Sequence, residues 1–246
     1  MNFASNTVLI TGGASGIGFA LAERFLRAGS AVIVCGHRPE QLRAAQDKHP
    51  QLKIRVCDVA KESDRMALCQ WAVGEFPGLN VLVNNAGIQR PLQLTRPEAW
   101  EHTHQEIAIN CEAPVHLSML LVPHLLTQPR SAIVNVTSGL SFVPMARAPI
   151  YSATKAALHS FTLSLRHQLS NTPIQVVEIV PPAVNTDLGG PGLHTSGVPL
   201  DEFADAVMAR MQAGDLEITY GFSQQASRAS REQLDALFNR MNESTS

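Results

Sequence analysis

Tyr151 and Lys155 stand four residues apart in the stretch PIYSATKAALHSF, Pro149–Phe161. On a helix, residues at i and i+4 share a face, so this spacing would set a phenol beside an ammonium. A free phenol ionises near pH ~10 and a neighbouring cation lowers that value, which is the raw material of proton transfer. The same spacing also describes a tyrosine ring resting on a lysine stem at a helix surface. The two residues alone do not choose between these readings.

Short apolar, β-branched runs recur along the chain: TVLI, AVIVC, KIRVC, NVLVN, AIVNVTS, QVVEIV and EITYG. Helix-length patterns such as GFALAERFLRAG, RMALCQWAVGEF and SATKAALHSFTLSLRHQLS lie between them. This alternation predicts βαβ units and an α/β fold of Rossmann type, a doubly wound parallel sheet with helices on both faces. No linker, repeat or shift of composition divides the chain, so one domain over residues 1–246 is expected. The segment AWEHTHQEIAINCEAPVHLSMLLVPHLL is long and carries Pro114 and Pro123, where a bend or break is predicted.

The first strand runs into TGGASGIG, Thr11–Gly18, and a helical pattern follows. Gly12, Gly16 and Gly18 permit a sharp turn, close approach of backbone to a pyrophosphate, and tight helix–strand packing, while the helix N-terminus offers free N–H groups. Such a turn is often only a tight loop. Its place between the first strand and the first helix points to a dinucleotide. At the end of the second strand an acid binds a free ribose 2′-OH, whereas an arginine accommodates a 2′-phosphate. The run VIVCGHRPEQL presents Gly36, His37 and Arg38 there and no acid, favouring NADP(H) over NAD(H). The competing reading of Arg38 is a solvated turn residue.

With the glycine turn in place, TGGASGIG, CDV at Cys57–Val59, NNAG at Asn84–Gly87, IN at Ile109–Asn110, VNVTS at Val134–Ser138 and YSATK follow in the order and spacing of a known family. Across essentially its whole length the chain resembles the short-chain dehydrogenase/reductase family. Within it, NNAGIQR, SGLSFVP, ALHSFTLSLRHQL and EIVPPAVNTDL look like the oxidoreductases encoded with the D-alanyl lipoteichoic acid operon.

The resemblance implies an NADP(H)-dependent oxidoreductase that interconverts a carbonyl and an alcohol. Tyr151 would be the general acid/base, exchanging a proton with the substrate oxygen as hydride moves at carbon. Lys155 would supply the charge that favours the phenolate and hydrogen-bond the nicotinamide ribose. Ser138 would hold the substrate oxygen beside Tyr151, and Asn110 would anchor a water chain to the lysine. The implied cofactor contacts are Thr11, Gly12, Ser15, Gly16, Ile17 and Gly18 in the turn, Arg38, and Asp58 and Val59 beside the adenine. Asn85, Ala86 and Gly87 join them, with Asn84 steadying the sheet, and then Tyr151, Lys155, Pro181, Val184 and Thr186. Pro182 departs from the family's usual Pro-Gly and removes an N–H.

Asp187–Leu200, DLGGPGLHTSGVPL, stands where family members carry a mobile loop over the substrate. Phe142, Val143, Pro144 and Met145 suggest an apolar pocket wall and hence an apolar or aromatic substrate; the competing reading is that several of them are core. The long helices resemble those of the family's subunit contact, implying a homodimer or homotetramer. A cofactor-binding regulator or scaffold without turnover is the alternative from another class.

A net charge of −2 without any Lys/Arg run lacks the footprint of a nucleic-acid binder. The N-terminus MNFASNTVLITGG has no basic region before a long apolar one, and no run of about 18 apolar residues occurs, so a cytoplasmic protein without a membrane span is expected. Cys35, Cys57, Cys69 and Cys111 form no CxxC pair and are predicted to be reduced thiols. His102 and His104, two apart, diverge on a helix and are not read as metal ligands. His116, His124, His159 and His167 are expected as surface features.

Overall fold

The computed structural model describes residues 3–97 and 99–243. Each apolar run forms a strand: β1 (Thr7–Thr11), β2 (Ala31–Gly36), β3 (Lys53–Val56), β4 (Leu79–Asn84), β5 (Ser131–Val136), β6 (Ile174–Val180) and β7 (Glu217–Thr219). They make one sheet in the order β3-β2-β1-β4-β5-β6-β7, with every neighbouring pair parallel. The connecting helices are α1 (Gly16–Arg27), α2 (Pro39–Lys48), α3 (Glu62–Glu75), α4 (Trp100–Ile107), α5 (Ala113–Leu125) and α6 (Pro149–Gln168). After β6 come α7 (Leu200–Ala213), α8 (Phe222–Ser227) and α9 (Arg231–Asn242).

Alternation along the strands splits the interior into two layers. Val8, Ile10, Val32, Val34, Val81 and Val83 pack beneath Leu21, Phe25, Leu42, Phe203 and Val207 of α1, α2 and α7. Leu9, Ile33, Leu82 and Ile133 pack beneath Leu68, Leu117, Leu121 and Leu165 of α3, α5 and α6. Fully burying one such side chain contributes roughly 1.5–3 kcal/mol, so both faces must be covered for the sheet to hold. The α1–α7 layer is also tied by Arg24, whose Nε donates to Asp205 Oδ1 at 2.7 Å and whose Nη2 donates to the Asp201 carbonyl at 2.9 Å.

The strand order reverses between β1 and β4, which opens a crevice at the strands' C-terminal ends. The long segment before β5 stays helical without a break: a π-helical turn, Ala108–Glu112, lies between α4 and α5 and ends two residues before Pro114, which is accommodated in the first turn of α5. Pro123 makes no break. It sits in the last turn of α5, where the missing N–H would have served the carbonyl of Met119, an exposed residue. Among the described residues no helix is long and apolar enough to cross a membrane.

Candidate active site

The glycine turn is built by left-handed backbone and by a clamp from β4. Gly12 and Gly16 have φ of +62° and +52°, a region that favours glycine. Thr11 Oγ1 accepts the N–H groups of Asn85 and Ala86, both at 3.0 Å. Asn85 Nδ2 donates back to the carbonyls of Thr11 at 3.0 Å and Gly12 at 3.2 Å. A Cβ on Gly18 would lie 2.3 Å from Asn85 Nδ2 and 2.5 Å from the Gly12 carbonyl. Gly18→Ala is therefore expected to cost about 1–3 kcal/mol and to weaken dinucleotide binding together with it. Thermal melting and an NADPH titration check both.

Ser15 begins α1 without a side-chain cap, and no acid lies in the first turn. The N–H groups of this helix end, with the half-buried Ile17 behind them, are available to an anion. Thr186 closes the cradle on the far side, its methyl 3.5 Å from where a Gly16 Cβ would stand. Val184 is buried and forms a parallel bridge with Val198, pinning both ends of the 187–200 loop. The Pro181 carbonyl accepts the Gly139 N–H at 2.9 Å, which joins this strand end to the turn after Ser138.

Arg38 is exposed at the start of α2, next to exposed His37. Asp58 lies beyond β3, one oxygen accepting the Ala60 N–H at 3.1 Å, and Val59 is buried behind it. Asn84 is buried and donates to Asn135 Oδ1 at 2.9 Å, bracing β4 against β5 as expected.

Tyr151 is the third residue of α6 and Lys155 follows one turn later, leaving them 6% and 3% exposed. The surface-pair reading is thereby removed. Ser138 Oγ accepts the Leu140 N–H at 3.1 Å, which leaves its O–H free for the hydrogen bond it shares with Tyr151. Lys155 Nζ lies 5.6 Å from the centre of the Tyr151 ring and donates to the Val136 carbonyl at 2.8 Å. Asn110, wholly buried in the π-helical turn, grips Ile88 with both ends of its amide: Oδ1 accepts the N–H at 2.9 Å and Nδ2 donates to the carbonyl at 2.8 Å. A Cβ on Gly87 would stand 3.4 Å from Asn110 Oδ1 and 3.6 Å from Lys155 Nζ. The segment after β4 thus rests on both.

Burial sets the electrostatics. Desolvation lowers Lys155 to about 8. Desolvation pushes Tyr151 up to about 12, opposed by the Ser138 hydrogen bond and reinforced by the charge of Glu106. The sequence suggested that Lys155 would draw the phenol down; here the ammonium is spent on a strand carbonyl, and burial dominates.

Glu106 carries no sequence motif. It is one turn before Asn110 and 2% exposed, and desolvation raises its carboxyl to about 7. Only its i, i+4 relation to Asn110 could have pointed to it. Three of the histidines expected at the surface are instead tied to the body of the protein. His116 Nδ1 accepts from Arg65 Nε at 3.0 Å, His124 Nε2 meets the Leu79 carbonyl at 2.9 Å, and His159 Nδ1 meets buried Glu178 at 2.9 Å. Among the described residues no group of metal-binding side chains assembles. Phe142 and Val143 follow the competing core reading: they pack with Ala226 and Leu237 of α8 and α9 and not as a free pocket wall.

The model of the short chain dehydrogenase family matches residues 6–195, from β1 past Thr186. The chain belongs to the short-chain dehydrogenase family. Among short-chain dehydrogenase relatives, the oxidoreductase DltE of Bacillus subtilis is 46% identical over 248 aligned positions, 98% of each chain. The NADP-dependent 3-hydroxy acid dehydrogenase YdfG of Salmonella typhi is 31% identical over 180 positions, 71% of each chain. A short-chain dehydrogenase of Sphingobium yanoikuyae, solved with NADPH, is 27% identical with a TM-score of 0.79 and covers 96% of this chain and 93% of its own. One from Burkholderia cenocepacia, solved with NADP, has a TM-score of 0.84 at 23% identity, over 97% and 99% of the two chains, and speaks to the fold. Membership makes the protein an NAD(P)-dependent dehydrogenase or reductase.

Proposed function

We propose that this short-chain dehydrogenase is an NADP(H)-dependent oxidoreductase that interconverts a carbonyl and an alcohol, with Tyr151 as general acid/base. The observation that carries the reading is the burial of Lys155 without a carboxylate partner among the described residues, one helical turn from a tyrosine equally withdrawn from water. An unpaired buried ammonium costs several kcal/mol, so a helix lysine with only a packing task would be expected at the surface.

The cradle fits a dinucleotide: a Cβ on Gly12 would meet the Ala86 backbone at 2.9 Å and one on Gly18 the Gly12 carbonyl at 2.5 Å, and an uncapped helix end lies beside Thr186. A bound nicotinamide supplies or accepts the hydride. Tyr151, fully protonated at neutral pH, can give its proton to the carbonyl oxygen in reduction. For oxidation it must become a phenolate, which the Ser138 O–H favours. Lys155 uses one N–H on Val136 and has others to offer the ribose. Asn110 holds the segment above the lysine and anchors the water chain. Ser138 orients the substrate oxygen. Thr11, Gly12, Ser15, Gly16, Ile17, Gly18, Asp58, Val59, Asn85, Ala86, Gly87, Pro181, Val184 and Thr186 complete the cofactor contacts. The 187–200 loop covers the substrate; a Cβ on Gly189 would already lie 3.3 Å from the Gln89 carbonyl.

Arg38, with no acid beside it at the end of β2, supports NADP(H) over NAD(H), as do the NADP-linked relatives. Arg38→Ala is expected to raise the Kd for NADPH about tenfold, a loss of ~1.4 kcal/mol, and to leave NADH within about twofold. Fluorescence titration checks this, and tighter NADH binding by the native protein would overturn the preference. The reaction itself is tested by NADPH oxidation across ketones, aldehydes and quinones; turnover of none of them would sink the reading. Exposed Met119 on α5 and Leu163 on α6 support a homodimer or homotetramer joined through these helices, and a cytoplasmic location belongs to the same proposal.

A further inference from the structure

Glu106 Oε1 is buried and has no hydrogen-bond partner among the described residues. Such an atom is costly unless something supplies the missing bond. It borders a cavity of about 150 Å³ lined by Arg90, Leu92, His102, Thr103 and Ile150. Ile150 directly precedes Tyr151, and the phenol senses the charge of Glu106, so the cavity adjoins the proton-transfer group. Its walls are fixed: the Leu92 N–H donates to the Arg147 carbonyl at 3.0 Å, joining the segment after β4 to the chain entering α6. The Arg90 guanidinium is turned to the His102 carbonyl at 2.8 Å and to Gln105 Oε1 at 2.6 Å; the Arg90 backbone N–H and charge favour the Glu106 carboxylate but give Oε1 no partner.

We propose that this cavity is a side pocket of the active site that receives a hydroxyl-bearing substituent of the carbonyl substrate, with Glu106 as the group that binds the hydroxyl. The inference rests on the carbonyl–alcohol reading above. The volume is below the several hundred Å³ of a whole-ligand site and suits a substituent of a few heavy atoms. An alkyl group would leave Oε1 without a partner. A fixed ammonium would share the lining with the positive charge of Arg90, and a carboxylate would face Glu106 itself. A hydroxyl both donates and accepts, and Glu106, titrating at about 7, can meet it in either form at neutral pH. This replaces the apolar substrate wall expected from Phe142 and Val143, which serve the α8–α9 packing.

Hydroxyacetone and 2-butanone differ by a hydroxyl in place of a methyl and make a matched pair. With NADPH, the native protein is expected to favour hydroxyacetone at least about tenfold in kcat/KM, since a site that bonds a hydroxyl rejects the analogue lacking it. In Glu106→Leu that ratio is expected to fall to within about threefold, with Glu106→Gln, which keeps the shape and a hydrogen-bonding amide, between the two. A native ratio near one, or a ratio that Glu106→Leu leaves unchanged, overturns the pocket. Should neither ketone react in the native protein, the carbonyl-reductase reading fails separately, and calorimetry of the free protein with 1,2-propanediol decides the pocket. Binding by the native protein that is lost in Glu106→Leu supports it, and no binding by the native protein overturns it.

Discussion

Lys155→Met is expected to yield a protein that is more stable near neutral pH and inactive. The native ammonium is held at about 8, below the ordinary lysine value of ~10.4, because burial penalises its charge. The unfolded chain therefore binds this proton more tightly than the native one. Below pH ~8 the full cost is present, and between about 8 and 10.4 native stability rises as the lysine gives up its proton. A depression of about two units corresponds to roughly 3 kcal/mol. Methionine removes that cost but leaves the Val136 carbonyl without its donor, a loss of about 1 kcal/mol. The net gain of about 2 kcal/mol predicts a Tm several degrees higher at pH 7 and a much smaller difference at pH 10. Turnover is expected to fall at least about 100-fold as the group beside the reacting tyrosine is lost. Scanning calorimetry at the two pH values with NADPH-oxidation kinetics checks it; a variant both destabilised and active would contradict the assignment.

Tyr151→Phe removes one buried oxygen and is expected to lower kcat by about 10²–10⁴-fold, the contribution of a positioned proton donor. NADPH affinity is expected to change far less, which separates lost chemistry from lost binding. In the reductive direction the native pH profile is expected to be flat near neutrality and to decline as pH rises through about 8. The declining limb belongs to Lys155 losing its charge, because Tyr151, at about 12, stays protonated throughout that range. A limb that persisted unshifted in Lys155→Met would overturn that origin. Activity unchanged in Tyr151→Phe would remove the tyrosine from the mechanism.

The strands were readable because parallel strands buried on both faces need continuous apolar, β-branched runs, and Val32–Cys35 or Val81–Val83 cannot serve much else. The glycine turn was readable because positive φ at Gly12 and Gly16 leaves few alternatives to glycine. Tyr151, Lys155, Ser138 and Asn110 were readable only as a set, since each alone is a commonplace polar residue. What escaped depends on how separate elements pack. The choice of Val136 as the lysine's acceptor follows from where α6 lies over β5, and the burial of Glu106 with Oε1 unpartnered follows from where α4 meets the chain entering α6. The anchored histidines escaped for the same reason: His159 looks exposed by helical periodicity until Glu178, nineteen residues on in β6, comes to lie beneath it.

The reversal of strand order between β1 and β4 has a consequence for how such a protein can diverge. Arg38 and Asp58 follow β2 and β3 on one side of the reversal, while Ser138 follows β5 and Glu106 and Tyr151 belong to α4 and α6 on the other. Changes on opposite sides share few contacts, and distant sites contribute nearly independent free energies. A lineage can therefore exchange one nicotinamide cofactor for the other through the loop after β2 without reworking the pocket beside the tyrosine. It can equally acquire a new carbonyl substrate through α4 while keeping its reductant.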